Sequence, residues 1–394
     1  MNILFIAPYV PSRIRVRPFH IIKELARRHS VHVIALGESD QTDTHGVDEV
    51  TDMAESFQVV PHSKLRGYRQ SAFALLRPEP MCTAFCRSSE MRRAVAEAMA
   101  RHSFDVVHIE HLRASHFADG ITGAPVLFDS VDCLAGLFGQ MARTRKSPLA
   151  RLLMAEESWK LRRYEPRTLK RFGRVIITSE SERDTLLGLD PELRIDVIPN
   201  GVDTRYFAPQ GVDRFPRRVV FSGKMSYRPN SQAALWFAEN AFPALRSKWD
   251  DAEFVVVGSG PPPEISELAS RPGITVTGEV TDIRPYLDSA AVAVAPMRSA
   301  VGMQNKVLEA MAMGLPVVAS PLAARSIGSA TSGVIEADTP DEVTEAVAGL
   351  FDDPDRAAQI GRQGRELAEQ AFSWRSSVDR LEAIYEELLA RRHA

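Results

Sequence analysis

Two successive α/β domains, each a parallel sheet wrapped by helices, are predicted by three features of the sequence. Strand-like and helix-like segments alternate from residue 2 onward, the alternation restarts after a Pro/Gly-rich stretch near residue 200, and 394 residues at 44% apolar content suffice for two cores. In the first half, Asn2 to Ala7 reads as a strand, Pro18 to Arg28 as a helix and Val31 to Leu36 as the next strand, with further strands at Val106 to Ile109 and Val126 to Asp129. Pro199 to Val202 and Pro209 to Gly211 mark the boundary. Strands are then expected at Arg218 to Ser222, Glu253 to Val257, Ile274 to Thr277, Val292 to Ala295 and Pro316 to Ser320. From Trp374 to Arg391, helical spacing holds Val378, Leu381, Ile384, Tyr385 and Leu388 on one stripe. Low-complexity tracts and solenoid periods are absent from the sequence.

Composition excludes several classes. Apolar runs fall short of the roughly 18 residues of a membrane span, and Met1 to Val10 is too short and uncharged for a secretory signal, so the expected compartment is the cytoplasm. Cys82, Cys86 and Cys133 offer no even disulfide framework and no zinc-ligand spacing; reduced thiols and no metal site are expected. The net charge of −3 is unevenly spread: residues 1–210 hold 29 basic against 26 acidic side chains, while residues 211–394 hold 19 against 25. Two basic runs account for this, Lys64 to Arg77 with interleaved apolar residues, and Arg143 to Arg174. Such runs suit either an anionic membrane surface or a solvated helix face in which Glu156, Glu157 and Glu165 pair with neighbouring bases. No stacking motif accompanies the charge, so nucleic acid is not an expected partner.

The chemistry concentrates in Pro296 to Pro321, PMRSAVGMQNKVLEAMAMGLPVVASP. Ala291 to Ala295 reads as a buried strand, Ser299 to Asn305 as a loop, Lys306 to Met313 as a helix and Pro316 to Ser320 as a strand, together a βαβ unit. The loop beyond the first strand meets a helix amino terminus, where unpaired N–H groups and the dipole favour an anion such as a pyrophosphate. Gly302 permits close backbone approach, Lys306 adds a positive charge, and Glu309, a turn later, offers a carboxylate to hydroxyl groups. On spacing alone, a crossover helix whose Lys and Glu merely suit the surface fits equally well. Lys224, directly after Gly223 at the end of another strand, and Arg228 further along the loop are two more cations able to reach phosphate. In the first half, Asp105 to His111, DVVHIEH, ends a buried strand, with Val106, His108 and Glu110 alternating onto one face and His111 opening the loop.

The wording of these segments resembles glycosyltransferase family 4. The pattern G-x-x-N-K-x-L-E-A-M-A-x-G-x-P-V-V resembles that family's donor-site motif, Val175 to Pro209 its hinge segment, Phe221 to Asn230 (FSGKMSYRPN) the first strand and loop of its donor domain, and Thr277 to Leu287 the loop that faces the base. The resemblance implies the GT-B fold, two Rossmann-like domains facing each other across a cleft. Residues 1–200, with a final helix at 375–394 packing back, would form the acceptor-side domain, and residues 201–374 the donor domain.

It further implies retaining transfer of a sugar from a nucleoside diphosphate donor, a UDP- or GDP-sugar, to a hydroxyl on a glycan, lipid-linked or small-molecule acceptor, with no tightly bound cofactor. Gly223, Lys224, Arg228, Gly302, Met303, Gln304, Asn305 and Lys306 would surround the donor, and Glu309 would hold the ribose. The family's pair of glutamates eight residues apart is broken, since Val301 stands at the first position. Relatives often read D-x-x-H-x-H where this chain has Glu110 at the second histidine position and His111 one residue later; both are candidate catalytic residues. Arg13 and Arg17 in the loop after the first strand, with Asp129 and Asp132 at another strand end, are candidate acceptor contacts. Two other activities remain open at this point: a nucleotide-sugar-binding protein that has lost turnover, motivated by Val301, and a GT-B sugar-nucleotide epimerase.

Overall fold

A computed structural model describes residues 1–38, 44–145, 147–299, 303–328 and 332–393. Its contacts divide the chain into two compact units: Met1–Pro199 with Ser377–Ala394, and Asn200–Ser376. The expected residues Lys146, Val301 and Gly302 lie outside the described residues.

The first unit is built on a seven-stranded sheet in which every pairing is parallel. Its strands are β1 (Asn2–Ala7), β2 (Ser30–Glu38), β3 (Ser56–His62), β4 (Val106–Glu110), β5 (Val126–Val131), β6 (Arg174–Ile177) and β7 (Ile195–Val197), arranged in the order β3-β2-β1-β4-β5-β6-β7. Burial explains why the central strands are legible in the sequence: helices cover both faces, so β1 and β4 are apolar almost throughout, with Ile3, Leu4, Phe5 and Ile6 all at 0% exposure. The strands not foreseen, β3, β6 and β7, lie toward the two sides. β3 alternates exposed and buried positions and carries Pro61, which an edge strand tolerates because one side needs no ladder bond. The expected helix at 18–28 runs over Val16–Leu25, with Pro18 in its first turn, where a missing N–H costs little.

The second unit repeats the plan with six strands: β8 (Arg218–Ser222), β9 (Glu253–Val257), β10 (Ile274–Val276), β11 (Val292–Ala295), β12 (Val317–Ala319) and β13 (Val334–Glu336), in the order β10-β9-β8-β11-β12-β13, again all parallel. Both units are therefore doubly wound, and in each the strand order reverses once, beside β1 and β4 in the first and beside β8 and β11 in the second. The helix expected at 306–313 spans Asn305–Ala312 and buries Val307, Leu308, Ala310 and Met311 between sheet and neighbouring helices.

The terminal helix Trp374–His393 delivers Tyr385, at 0% exposure, to the first unit, where its hydroxyl and His108 Nδ1 lie 2.6 Å apart. The 22-residue helix Pro148–Leu169 departs from the expected internal pairing of the second basic run. Glu156 pairs with Lys160 as expected, but Glu157 and Glu165 turn inward and accept from backbone N–H groups. Glu157 takes Met81 N and Cys82 N at 2.7 and 2.8 Å, and Glu165 takes Leu134 N and Ala135 N at 3.0 Å each. Each carboxylate thereby satisfies the orphan donors at the start of another helix, Met81–Phe85 or Leu134–Thr144.

Replacing Glu157 by Ala should remove two buried charge-assisted hydrogen bonds and cost about 2–3 kcal/mol. It should lower the urea midpoint at unchanged slope, with Glu157→Gln recovering part of the loss.

Candidate functional site

In the second unit the strand-order reversal brings two loops to the carboxyl ends of β8 and β11, the place where open parallel sheets bind ligands. The first loop begins at Gly223, whose φ of +150° suits glycine. A Cβ there would come 2.7 Å from Asn230 Nδ2 and 3.4 Å from Lys306 Cε, so the missing side chain is what lets Lys306 reach this loop. Gly258, at the end of β9, is under the same constraint, since a Cβ on it would overlap the Gly223 carbonyl. Lys224 and Arg228 are exposed cations on this loop, and neither has an acidic partner among the described residues. Arg228 opens the helix Arg228–Asn240, which has no side-chain cap at its amino terminus.

The second loop leads into the helix Asn305–Ala312, whose N-cap residue, Gln304, makes no side-chain cap bond. Lys306 Nζ donates to Asn230 Oδ1 at 2.9 Å and to Gln304 Oε1 at 3.4 Å, and lies 5.5 Å from the centre of the Phe221 ring. No carboxylate forms an ion pair with it among the described residues. Burial lowers its pKa to about 8, against a smaller opposing pull from Glu309; burial likewise raises Glu309 to about 7, against the attraction of Lys306. A charge held in surroundings this poor in counter-charge is suited to an incoming anion. Met303 packs on the core, and Asn305 Oδ1 is buried without a hydrogen-bond partner among the described residues, leaving an acceptor that a ligand donor could satisfy.

Asn230 was not singled out from the sequence. Its amide is satisfied at both ends, accepting from Lys306 and donating from Nδ2 to the Lys224 carbonyl at 3.0 Å, so it ties the Gly223 loop to the β11 helix. The available signal was its place just inside the helix after R-P in FSGKMSYRPN, where a short polar side chain can reach back to the preceding loop.

The first unit gathers the other candidates around the β1/β4 reversal. Glu110, fully buried at the end of β4, accepts from the Tyr9 hydroxyl at 3.2 Å, while its Oε2 has no hydrogen-bond partner among the described residues. Burial, reinforced by the charge of Asp129, raises its pKa to about 8, so it is mostly protonated at neutral pH. The Arg15 guanidinium lies 4.1 Å over the Tyr9 ring. His111 adopts a φ of 70°, accepts from Arg113 N through Nδ1 at 3.2 Å, and is lowered to about 3 by burial and by Arg113; it is neutral at every physiological pH. A non-glycine residue held at positive φ is strained backbone of the kind that aims a side chain.

The four expected acceptor contacts fare differently. Arg17 and Asp129 form a buried ion pair with each other at 2.7 Å, and Arg17 also donates to the Ile198 carbonyl at 3.0 Å. Burial is the largest single influence on Asp129 and works against its charge, but Arg17 and His108 together outweigh it and hold the pKa below the ordinary carboxylate value. Exposed by 4% and 0%, these two side chains link β5, the first helix and the Ile198 carbonyl near the end of the unit, and their charges are directed at each other. Arg13 is exposed and paired with Glu49 at 2.6 Å. Asp132 is raised to about 7 by burial and by Glu182, and lies near the same strand end as Asp129. Among the described residues no group of three His, Cys, Asp or Glu side chains could hold a metal ion.

Comparison with known proteins places this geometry. Residues 14–201 match the model of the glycosyl transferase 4-like domain and residues 216–353 that of glycosyl transferases group 1. The chain is 27% identical over 371 residues to the phosphatidyl-myo-inositol mannosyltransferase of Mycolicibacterium smegmatis, covering 90% of this chain and 89% of that one. It is 30% identical over 250 residues to a D-inositol 3-phosphate glycosyltransferase of Corynebacterium kroppenstedtii, a match that spans 55% of this chain and only 54% of that relative's length. The fold is shared with sucrose-phosphate synthase from Thermosynechococcus elongatus at a TM-score of 0.70 and 15% identity, over 99% of this chain and 100% of that one. With two Rossmann-like units of the GT-B kind and both halves matched by the family's models, the chain belongs to glycosyltransferase family 4.

Proposed function

We propose that this chain transfers a sugar, with retention of anomeric configuration, from a UDP- or GDP-sugar to a hydroxyl of a glycan or lipid-linked acceptor in glycoconjugate synthesis. The observation that carries this reading is Lys306, a partly desolvated ammonium held by Asn230 at the β8/β11 reversal beside an uncapped helix start. In the transfer, the bond from the anomeric carbon to the diphosphate oxygen breaks, and negative charge grows on the leaving group. Lys306, Lys224 and helix N–H groups would stabilise that charge, Arg228 would add to the field, and Glu309 would accept from ribose hydroxyls. The departing phosphate oxygen would take the acceptor proton, so no side-chain nucleophile is required. Glu110 and His111 would position sugar or acceptor, Glu110 as a hydrogen-bond donor in its protonated state and His111 as a neutral ring. Asp132 and Arg13 remain candidates for acceptor contact.

The relatives named above act on inositol-containing acceptors by their names, which favours a phosphorylated polyol or lipid-linked acceptor here. No described helix is long and apolar enough to cross a membrane; the proposed setting is the cytoplasm, with an anionic membrane surface among the partners. Val301 at the first glutamate position keeps a second reading in play, a nucleotide-sugar-binding protein without turnover. Incubation with UDP- and GDP-sugars separates the two: nucleoside diphosphate release with acceptor supports transfer, and binding without release supports the second.

Lys306→Ala should remove a contact that strengthens as the bond breaks, lowering kcat and raising donor KM, by about 2–4 kcal/mol in kcat/KM, or roughly thirty- to a thousand-fold. Glu309→Gln should mainly raise donor KM. Folded variants with parental kinetics would refute the assigned site.

Nucleotide affinity should also track the Lys306 proton. Its pKa lies near 8, so the ammonium is present below that value and is lost above it. The Lys306 contribution to UDP or GDP affinity, read as wild type against Lys306→Arg so that Glu309 titration cancels, should be complete below about pH 7 and fall by up to about tenfold per unit above pH 8, because the arginine stays charged. Calorimetric titration across pH measures this directly.

Asn230→Ala should leave Lys306 present but unheld, weakening nucleotide binding about tenfold. An unchanged Kd would show that Lys306 finds its position without the amide.

A further inference from the structure

We propose that the first unit docks onto an anionic lipid bilayer through one face, formed by the helices Lys64–Ala74 and Pro148–Leu169. The inference names the membrane partner of the proposed glycosyltransferase and rests on that reading for its biological sense, while its geometry stands alone.

The helix Lys64–Ala74 touches the body of the unit through a narrow edge: Gly67 and Ala74, seven residues apart, are its two buried positions. Gly67 is where it lies closest, since a Cβ there would come 2.7 Å from the Phe85 ring. Nearly all other side chains therefore face water, including Leu65 at 71% exposure, Tyr68, Phe73 and, just past the helix, Leu76 at 90%. A globular protein gains nothing by exposing such a cluster unless another surface covers it.

The long helix continues the pattern. Leu149, Leu152 and Trp159 are exposed and follow 3–4 spacing with Glu156 and Arg163, so they share one outward stripe. Arg163 stacks on the Trp159 ring at 4.1 Å, an indole and a cation side by side as at a bilayer interface. The two helices are joined by Lys160, whose Nζ donates to the Ala74 carbonyl at 2.6 Å. A groove of about 360 Å³ lined by Trp159, Arg163 and Arg167 and another of about 250 Å³ lined by Phe73 and Arg77 share Glu79 and Arg87 as walls, so both stripes belong to one continuous face. Eight of the fourteen exposed large hydrophobic side chains among the described residues lie on it, which sets it apart from the rest of the surface.

Charge decides the occupant. Lys64 to Arg77 holds four basic residues and no acid, and in the long helix Glu157 and Glu165 are consumed inside the fold, leaving Glu156 to face the bases. Arg69, Arg77, Arg163 and Arg167, the last two lining the larger groove, have no carboxylate partner among the described residues. A second copy of this chain would oppose like charges across such a face; anionic headgroups would neutralise them while the acyl boundary takes up Leu65, Leu76 and Leu152.

The test is flotation of the full chain with phosphatidylcholine vesicles, with and without phosphatidylglycerol, at low and high salt. Binding is expected on the anionic vesicles only and should weaken with salt. Reversing Arg69, Arg77, Arg163 and Arg167 to Glu should weaken it more than about a hundredfold, at roughly fivefold or more per residue. Leu76→Ser combined with Leu149→Ser and Leu152→Ser should weaken it about tenfold or more even at low salt; all seven positions are on the surface, and unchanged melting temperatures verify folding. Absence of binding to anionic vesicles, equal binding to neutral ones, or retention by both variants would overturn the proposal. So would a dimer in sedimentation that the serine variant disperses, because the face would then belong to a second copy. Thermal shift with UDP and GDP in the same samples reads the donor site separately, so loss of one reading is distinguishable from loss of the other.

Discussion

Parallel strand pairing is the constraint from which the rest of this structure follows. Neighbouring parallel strands need a crossover, and right-handed crossovers place every carboxyl end at one edge of a sheet. Where the strand order reverses, successive crossovers leave in opposite directions, and the loops there have nothing between them but space. In the second unit that space lies beside β8 and β11, and the chain fills its borders with Gly223, Lys224 and the Asn305–Ala312 helix. In the first unit the same reversal, beside β1 and β4, collects Tyr9, Glu110 and His111. Both clusters of titratable groups thus occupy the position that topology leaves open.

Burial sets the charge states of these groups, and in opposite senses. Lys306 and Glu309 are shifted toward neutrality, to about 8 and 7, so that at neutral pH Lys306 is still mostly an ammonium while Glu309 is close to half protonated. Arg17 and Asp129 pair at 2.7 Å, and with His108 also beside it Asp129 is held below the ordinary carboxylate value despite its burial. Removing either would strand a charge in an interior position, which is why such pairs are costly to break even where their net contribution is small. Glu110 has no cation at hydrogen-bonding distance among the described residues and shifts up to about 8 instead. Three carboxyls within one unit, Glu110, Asp129 and Asp132, therefore differ in protonation through their surroundings alone.

The helix Pro148–Leu169 shows how one element can serve core and surface at once. Its carboxyl groups Glu157 and Glu165 point inward onto the starts of two other helices and accept from their N–H groups, which for Glu165 offset only part of the cost of burial, its pKa rising to about 7. Its arginines and exposed apolar residues point the other way. The unit's excess positive charge is thus a result of where its acids are used as much as of how many bases it has.

The doubly wound plan, the central strands and the loop before the Asn305–Ala312 helix were legible in the sequence because each depends on local composition: buried strands such as β1 and β11 must be apolar almost throughout, and a glycine before Lys224 and the N-K-x-L-E spacing directly encode close approach and one helical turn. Edge strands such as β3, β7 and β13 were not, since half-exposed strands of three to seven residues carry too little apolar pattern to stand out. Side-chain partnerships over long sequence separations were decided by tertiary structure alone. Arg17 and Asp129 are 112 residues apart, Asn230 and Lys306 are 76, and His108 and Tyr385 are 277, so no local pattern distinguishes a charge free to meet a ligand from one already matched inside the fold. Glu157 and Glu165 make the same point within a single helix. Sequence spacing offers them neighbouring bases, and packing assigns them to backbone N–H groups of other helices, because a buried helix start must have its donors satisfied whereas an exposed arginine can be satisfied by water.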